Sequence, residues 1–208
     1  MGNLKSKAYD QIKADIISCR LLPGTFVDIN TLTQKLGMSR TPVREAIMKL
    51  EQEGLIHIVS QKGILIQNIT IRDIRNLYDA RQALEPQIIL MYGAEFSKEA
   101  LQRCRERLSV NVDELPLEQA VELDDLLHKT LVAQTDNEYF IQFFDQLSDQ
   151  NRRVQYMTKS LTLRRVKNQE AHLKILDTLL EGKIELAAEQ MKEHLHISLE
   201  DAFSYMTK

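Results

Sequence analysis

Glycine and proline are scarce in this 208-residue chain, at seven and four residues, less than half of the roughly 12% that an average protein carries. So few turn formers imply a mostly helical chain. Long apolar runs are also missing. The longest, residues 88–94, falls far short of the ~20 residues that span a bilayer, and the opening MGNLKSKAYD lacks the apolar core of a signal peptide. Cysteine is limited to Cys19 and Cys104, which carry no metal or redox spacing and point to a reducing cytoplasm. With 43% hydrophobic and 27% charged residues, collagen-like, low-complexity and wholly disordered readings are excluded. What remains is room for one large domain or two small ones around a buried core.

The net charge of −3 is unevenly spread. Residues 1–67 hold nine Lys/Arg against six Asp/Glu, a surplus of +3, which leaves 18 against 24, or −6, for residues 68–208. A basic head thus precedes an acidic body.

In the head, Leu4, Ala8, Tyr9, Ile12, Ile16 and Ile17 recur at three- and four-residue steps, which predicts a helix over residues 4–20 ended by LLPG. Asp28 is placed to cap a second helix whose buried side is Ile29, Leu32 and Leu36, with Gly37 as its left-handed stop. A third starts at SRTP, where Ser39 or Thr41 is the cap and Pro42 is tolerated in the first turn. Its buried face is Val43, Ala46, Ile47 and Leu50, which turns Arg40, Thr41, Arg44 and Met48 outward. The period then becomes extended: LIHIV, a turn SQKG containing Gly63, and ILIQN predict a β-hairpin. Three helices and a hairpin in this order predict a winged helix-turn-helix over residues 1–67.

After a short linker at 68–70 no strand signal returns. Thr70 and Asp73 form a capping box, helical periodicity runs over 71–92, and further helices are expected at 97–111, 117–135, 138–160, 163–181 and 184–206. The fold class is therefore mainly α, with an antiparallel six-helix bundle over 71–208.

A recognition helix works by placing the side chains of its first turns in the major groove, where Arg reads the O6/N7 edge of guanine. Arg40 and Arg44, four residues apart, can enter the groove together. Ser39 and Thr41 can bond phosphates, and Lys62 at the wing tip can reach a backbone or the minor groove. The stretch LTQKLGMSRTPVREAIMKLEQEGLI, with LLPG before it and a KG-containing wing after it, resembles the winged-helix domain of GntR-type bacterial transcription regulators over residues 4–67. The resemblance implies DNA contacts from Ser39, Arg40, Thr41, Arg44, Lys62 and Gly63. Asn30 stands where some members carry Arg, which implies one fewer phosphate or base contact.

Three of the five histidines fall at informative places in the body. Asp124 and His128 are four apart on one helix face, with Asp125 as the rival carboxylate. His172 lies ten residues before Gly182 and His194 twelve after it, which puts them at similar height in an antiparallel hairpin, ~15–18 Å from the turn. One carboxylate and three imidazoles facing a bundle core can hold a divalent ion. His57 and His196 are expected to be ordinary polar residues.

The body resembles the FCD ligand-binding domain of the FadR subfamily, in the smaller, VanR-like branch. The family's metal-ligand strings have counterparts in DDLLH, HLKIL and MKEHL, so the resemblance implies that Asp124, His128, His172 and His194 bind a metal: zinc first, with nickel, manganese or iron as alternatives. Leu127 replaces the Phe that often precedes the first of these histidines. Arg81 in YDARQALEP matches an arginine that often faces the effector pocket, its other reading being a salt bridge with Glu85. The function implied is a homodimeric cytoplasmic regulator, expected to repress, that reads an inverted repeat in double-stranded DNA and senses a small organic or sugar acid, with no membrane partner and no enzymatic activity. Two rivals use the same residues: a purely structural metal with no effector, and a metal-dependent hydrolase with Asp125 as base.

Overall fold

The computed structural model describes residues 4–158 and 162–206, which form two compact units, Met1–Thr70 and Ile71–Lys208. The expected helix end at residue 160 lies outside the described residues.

In the first unit, α1 (Leu4–Ile17) precedes a short strand β1 (Phe26–Val27), then α2 (Ile29–Leu36), α3 (Arg40–Gln52), β2 (Ile56–Val59) and β3 (Gly63–Ile66). Helix α1 stops three residues before its expected end, and Cys19 takes a left-handed φ of 54°. The buried carboxylate of Asp15 holds this corner, accepting from Arg20 Nε and Lys35 Nζ, both at 2.7 Å. Leu4, expected on the buried face, is exposed. Helix α2 has the predicted ends: the Asp28 carboxylate accepts from the amides of Asn30 (2.7 Å) and Thr31 (3.1 Å), and Gly37 stands at φ 62°. Ser39 occupies the N-cap position of α3 but makes no side-chain capping bond. The buried faces of α1 and α3 meet through Ala8, Ile12, Ile16, Val43, Ala46 and Leu50.

The hairpin is present, with Ile58 opposite Ile64 and Val59 opposite Gly63. Its turn differs from the expected one. Residues 60–62 make the reversal with Gln61 at φ 63°, and Gly63 is the first residue of β3. Sequence reasoning also missed β1, which pairs antiparallel with the other edge of β3, Phe26 to Leu65, so that β3 is the central strand. Two residues are too few to show an alternating pattern. The approach of β1 explains Gly63: φ is 103°, and a Cβ there would lie 3.0 Å from the Val27 carbonyl oxygen.

The second unit is a helical array of α4 (Ile71–Tyr92), α5 (Lys98–Leu108), α6 (Leu117–Ala133), α7 (Glu138–Met157), α8 (Thr162–Leu180) and α9 (Ile184–Met206). Single 3-10 turns at Gly93–Glu95 and Val112–Glu114 flank α5, which ends three residues before the predicted 111. Helix α4 lies along α9, α8 packs on α9 and α5, and α6 packs on α7. Their shared core includes Ile74, Ile88, Ile89, Leu127, Leu131, Phe144, Leu176, Met191 and Leu195. The chain continues through Pro86 inside α4, although the ring removes the amide that would bond one turn back. No helix among the described residues is long and apolar enough to cross a membrane.

Candidate functional site

The core of the second unit is interrupted by charge and imidazole. Helix α4 supplies Arg81 and Glu85, one turn apart; α6 supplies His128, α8 His172 and α9 His194, and all five side chains are buried. The three histidines each offer a ring nitrogen to one group whose atoms lie within 4.8 Å of one another. His172 Nε2 stands 3.0 Å from His194 Nε2, so the two helices joined at Gly182 do bring these residues to the same height.

Burial lowers the His172 imidazole to about 4 and His194 well below its ordinary value, because a charged ring is poorly solvated there. Both are neutral near pH 7 and keep a lone pair for a ligand. Two buried ring nitrogens, His128 Nε2 and His172 Nδ1, have no hydrogen-bond partner. Clustered neutral imidazoles with unused nitrogens suit a borderline cation such as zinc, which also accepts a carboxylate oxygen.

The fourth residue expected in this set is placed differently. Asp124 is half-buried on α6 and is not among the three residues that converge within 4.8 Å. One carboxylate oxygen accepts from Asn168 Nδ2 at 3.0 Å and the other from Gln155 Nε2. Burial would raise its carboxyl group, but the neighbouring imidazoles, Arg164 and the Asn168 amide outweigh that and hold it below the ordinary value. Its rival Asp125 is buried on the same helix, where Ser148 Oγ donates to it at 2.6 Å and Lys129 Nζ pairs with it at 2.7 Å. That commitment leaves Asp125 poorly placed to act as a hydrolytic base.

Arg81 and Glu85 form the ion pair that their spacing suggested, Nε to Oε1 at 2.7 Å, but it is buried rather than exposed. Glu85 was anticipated only as that partner. Its second oxygen bonds His128 Nδ1, a contact between helices that no spacing within α4 encodes. Burial alone would raise the Glu85 carboxyl group, yet Arg81 and His128 overcome this and bring it down to about 2. Arg81 retains one buried guanidinium nitrogen, Nη2, with no partner.

The first unit presents a different surface. Ser39, Arg40, Thr41 and Arg44 are exposed at the start of α3, with Met48 one turn beyond, and Lys62 is exposed in the hairpin turn. Arg40 Nη2 donates to Asn30 Oδ1 at 2.8 Å, which ties the guanidinium to α2. The far end of α3 is anchored by Glu53, which accepts from Tyr9 Oη at 2.7 Å and Lys13 Nζ at 3.1 Å. Gly63, next to Lys62, is the first residue of β3, where its φ and the nearby Val27 oxygen require glycine. His57 and His196 are exposed, beside Glu51 and Glu200.

Comparison with known proteins agrees with this division. Residues 4–66 match the gntR family of bacterial regulatory proteins, and residues 76–196 match the FCD domain. The HTH-type transcriptional repressor RspR of Escherichia coli K12 is 27% identical over 158 residues, covering 74% of this chain and 69% of its own. The HTH-type transcriptional repressor GlaR of the same organism is 23% identical over 198 residues, or 90% of each chain. A GntR transcriptional regulator from Rhodococcus sp. RHA1 shares the fold, with a TM-score of 0.80 at 20% identity over 96% of this chain and 97% of that one. The chain belongs to the gntR family of DNA-binding transcription regulators and carries an FCD domain.

Proposed function

We propose that this GntR-family regulator is a homodimeric, cytoplasmic repressor whose hold on an inverted-repeat operator is set by a small carboxylate bound beside a divalent metal in the FCD domain. The observation that carries this reading is the convergence of three buried histidines with a guanidinium that still has an unused donor, Arg81 Nη2. His128, His172 and His194 would hold the ion, with Asp124 as fourth ligand once its carboxylate leaves the amides of Gln155 and Asn168. Zinc suits three nitrogens and one oxygen best; nickel, manganese and iron are alternatives. When bound, the ion would supply a positive centre for a carboxylate oxygen of an organic or sugar acid. Arg81 would take the opposite end of that anion.

In the head, Arg40 and Arg44 read base edges while Ser39, Thr41 and Lys62 meet phosphates. Repression is the sign supported by the names of RspR and GlaR. Effector and operator are coupled when the effector binds one dimer arrangement better than another, because only that difference shifts the population.

One observation favours a second reading, in which the metal is structural and there is no effector. The cavity bordered by Asp124, Arg164, Asn168 and His172 is about 20 Å³, room for a water rather than a metabolite. An effector must therefore open the bundle. A thermal-shift screen of zinc-loaded protein against small carboxylic and sugar acids separates the two readings. A true effector at 100 times its dissociation constant stabilises the folded state by ~2.7 kcal/mol and alters the affinity for operator. If no acid stabilises the zinc-loaded protein, and zinc removal unfolds the body, the structural reading stands.

A further inference from the structure

Glu85 is buried, and its two oxygens are used in different directions. Oε1 accepts from Arg81 Nε at 2.7 Å, while Oε2 bonds His128 Nδ1 on α6. An ionised carboxylate has no proton to give, so the hydrogen between Glu85 and His128 belongs to Nδ1. Nε2 is then the lone-pair nitrogen of that ring. It is buried without a hydrogen-bond partner, in the residue that completes the three-histidine group. The same carboxylate steadies Arg81, whose Nη2 remains available.

We propose that Glu85 is a positioning residue shared by the cation and anion subsites: it fixes His128 in the tautomer that can ligate a metal, and it links that imidazole to the guanidinium that would receive an anion. The inference rests on the metal reading given above. Carboxylates that orient a metal-bound histidine through its second nitrogen are a general feature of such sites, and losing one typically costs 10–100-fold in metal affinity. Here that carboxylate is also the ion-pair partner of an arginine, so a disturbance at Arg81 has a two-bond path to the ring of His128. Glutamine cannot replace it. Its amide would turn a donor toward either Arg81 Nε–H or His128 Nδ1, and meeting the second need forces the proton of His128 onto Nε2.

The experiment uses the full chain freed of metal. Zinc affinity is measured by competition with a chromophoric chelator for the wild type, Glu85→Gln and Arg81→Met, and the tautomer of His128 is read from the 15N shifts of the labelled imidazoles. The expected result is one zinc per chain in the wild type, an Nδ1-protonated His128, and a 10–100-fold weaker site in Glu85→Gln together with a shift of the proton to Nε2. Arg81→Met, which removes the guanidinium that aims the carboxylate, should weaken zinc binding several-fold. Wild-type protein that binds no zinc overturns both the metal reading and this inference. Zinc binding within twofold of wild type in folded Glu85→Gln overturns the inference alone, and unchanged affinity in Arg81→Met overturns the link between subsites. Should Glu85→Gln fail to fold, an Nε2-protonated His128 in the metal-free wild type is sufficient to overturn the assignment, and an Nδ1-protonated one supports it.

Discussion

His172 and His194 are 22 residues apart in the chain, yet their Nε2 atoms approach to 3.0 Å across the α8–α9 pair. Two neutral imidazoles at that distance either share one hydrogen or turn both lone pairs to a common cation. The metal reading requires the second state. His172→Ala should therefore lower the zinc content of purified protein from one ion per chain toward zero, whereas His196→Ala, at an exposed ring beside Glu200, should leave it unchanged. Elemental analysis of the two variants decides this, and the opposite pattern would show that the histidine assignment is wrong.

The same burial makes the metal-free body sensitive to acid. His172 titrates at about 4 in the folded chain against an ordinary 6.5, so between these values the unfolded chain binds more protons and stability rises with pH. His194 is displaced in the same direction. Their contribution is complete above about pH 6.5 and is lost as pH falls toward 4. Glu85, held near 2 against 4.5, adds a second loss below about pH 4.5. Urea unfolding of metal-free protein at pH 7, 5.5 and 4 should give falling midpoints, with a flat profile contradicting the placement of these groups. Zinc affinity should hold over the upper part of the range and fall only toward pH 4, where protons begin to compete for the ring nitrogens of the folded chain.

On the head, Arg44 is exposed on α3. Arg44→Ala should cost ~1–3 kcal/mol in specific operator binding, the worth of one good base contact. Exposed substitutions of this kind usually move stability by less than ~0.5 kcal/mol, so the thermal transition should stay in place. Retained discrimination between operator and scrambled DNA in a fluorescence titration would remove Arg44 from the reading set. Lys62→Ala should instead weaken all sequences alike and reduce the salt dependence of binding by about one ion.

Gly63 offers a contrast with these side chains. Its φ of 103° and the Val27 oxygen only 3.0 Å from a built Cβ make Gly63→Ala a change to the sheet. We expect a loss of ~1–3 kcal/mol in stability of the head, with β1 released from β3. Chemical denaturation of the full chain, wild type against Gly63→Ala, measures it. A Gly63→Ala variant that weakened DNA binding while leaving stability intact would instead assign the glycine to the DNA contacts.

Much of this protein was legible from local signals. The Asp28 cap and the left-handed Gly37 delimited α2, the outward row of Arg40, Thr41 and Arg44 followed from the buried row of Val43, Ala46, Ile47 and Leu50, and α4 and α9 have their predicted spans. These features depend on residues within a turn or two of one another. Even the meeting of His172 and His194 needed only the count of residues on either side of Gly182, because a helical hairpin converts sequence distance into height.

The remaining relationships depended on how elements pack. The two-residue strand β1 exists only because β3 has a second edge to pair with. Asp124 and His128 share a face of α6, but Asn168 and Gln155 come from α8 and α7 to hold the carboxylate. Glu85 could be paired with Arg81 from its spacing, while its bond to His128 is made between α4 and α6. Periodicity gives the direction of a side chain around its own helix. Which atom it meets is settled by the rotation and crossing of neighbouring helices, and these follow from packing the whole core.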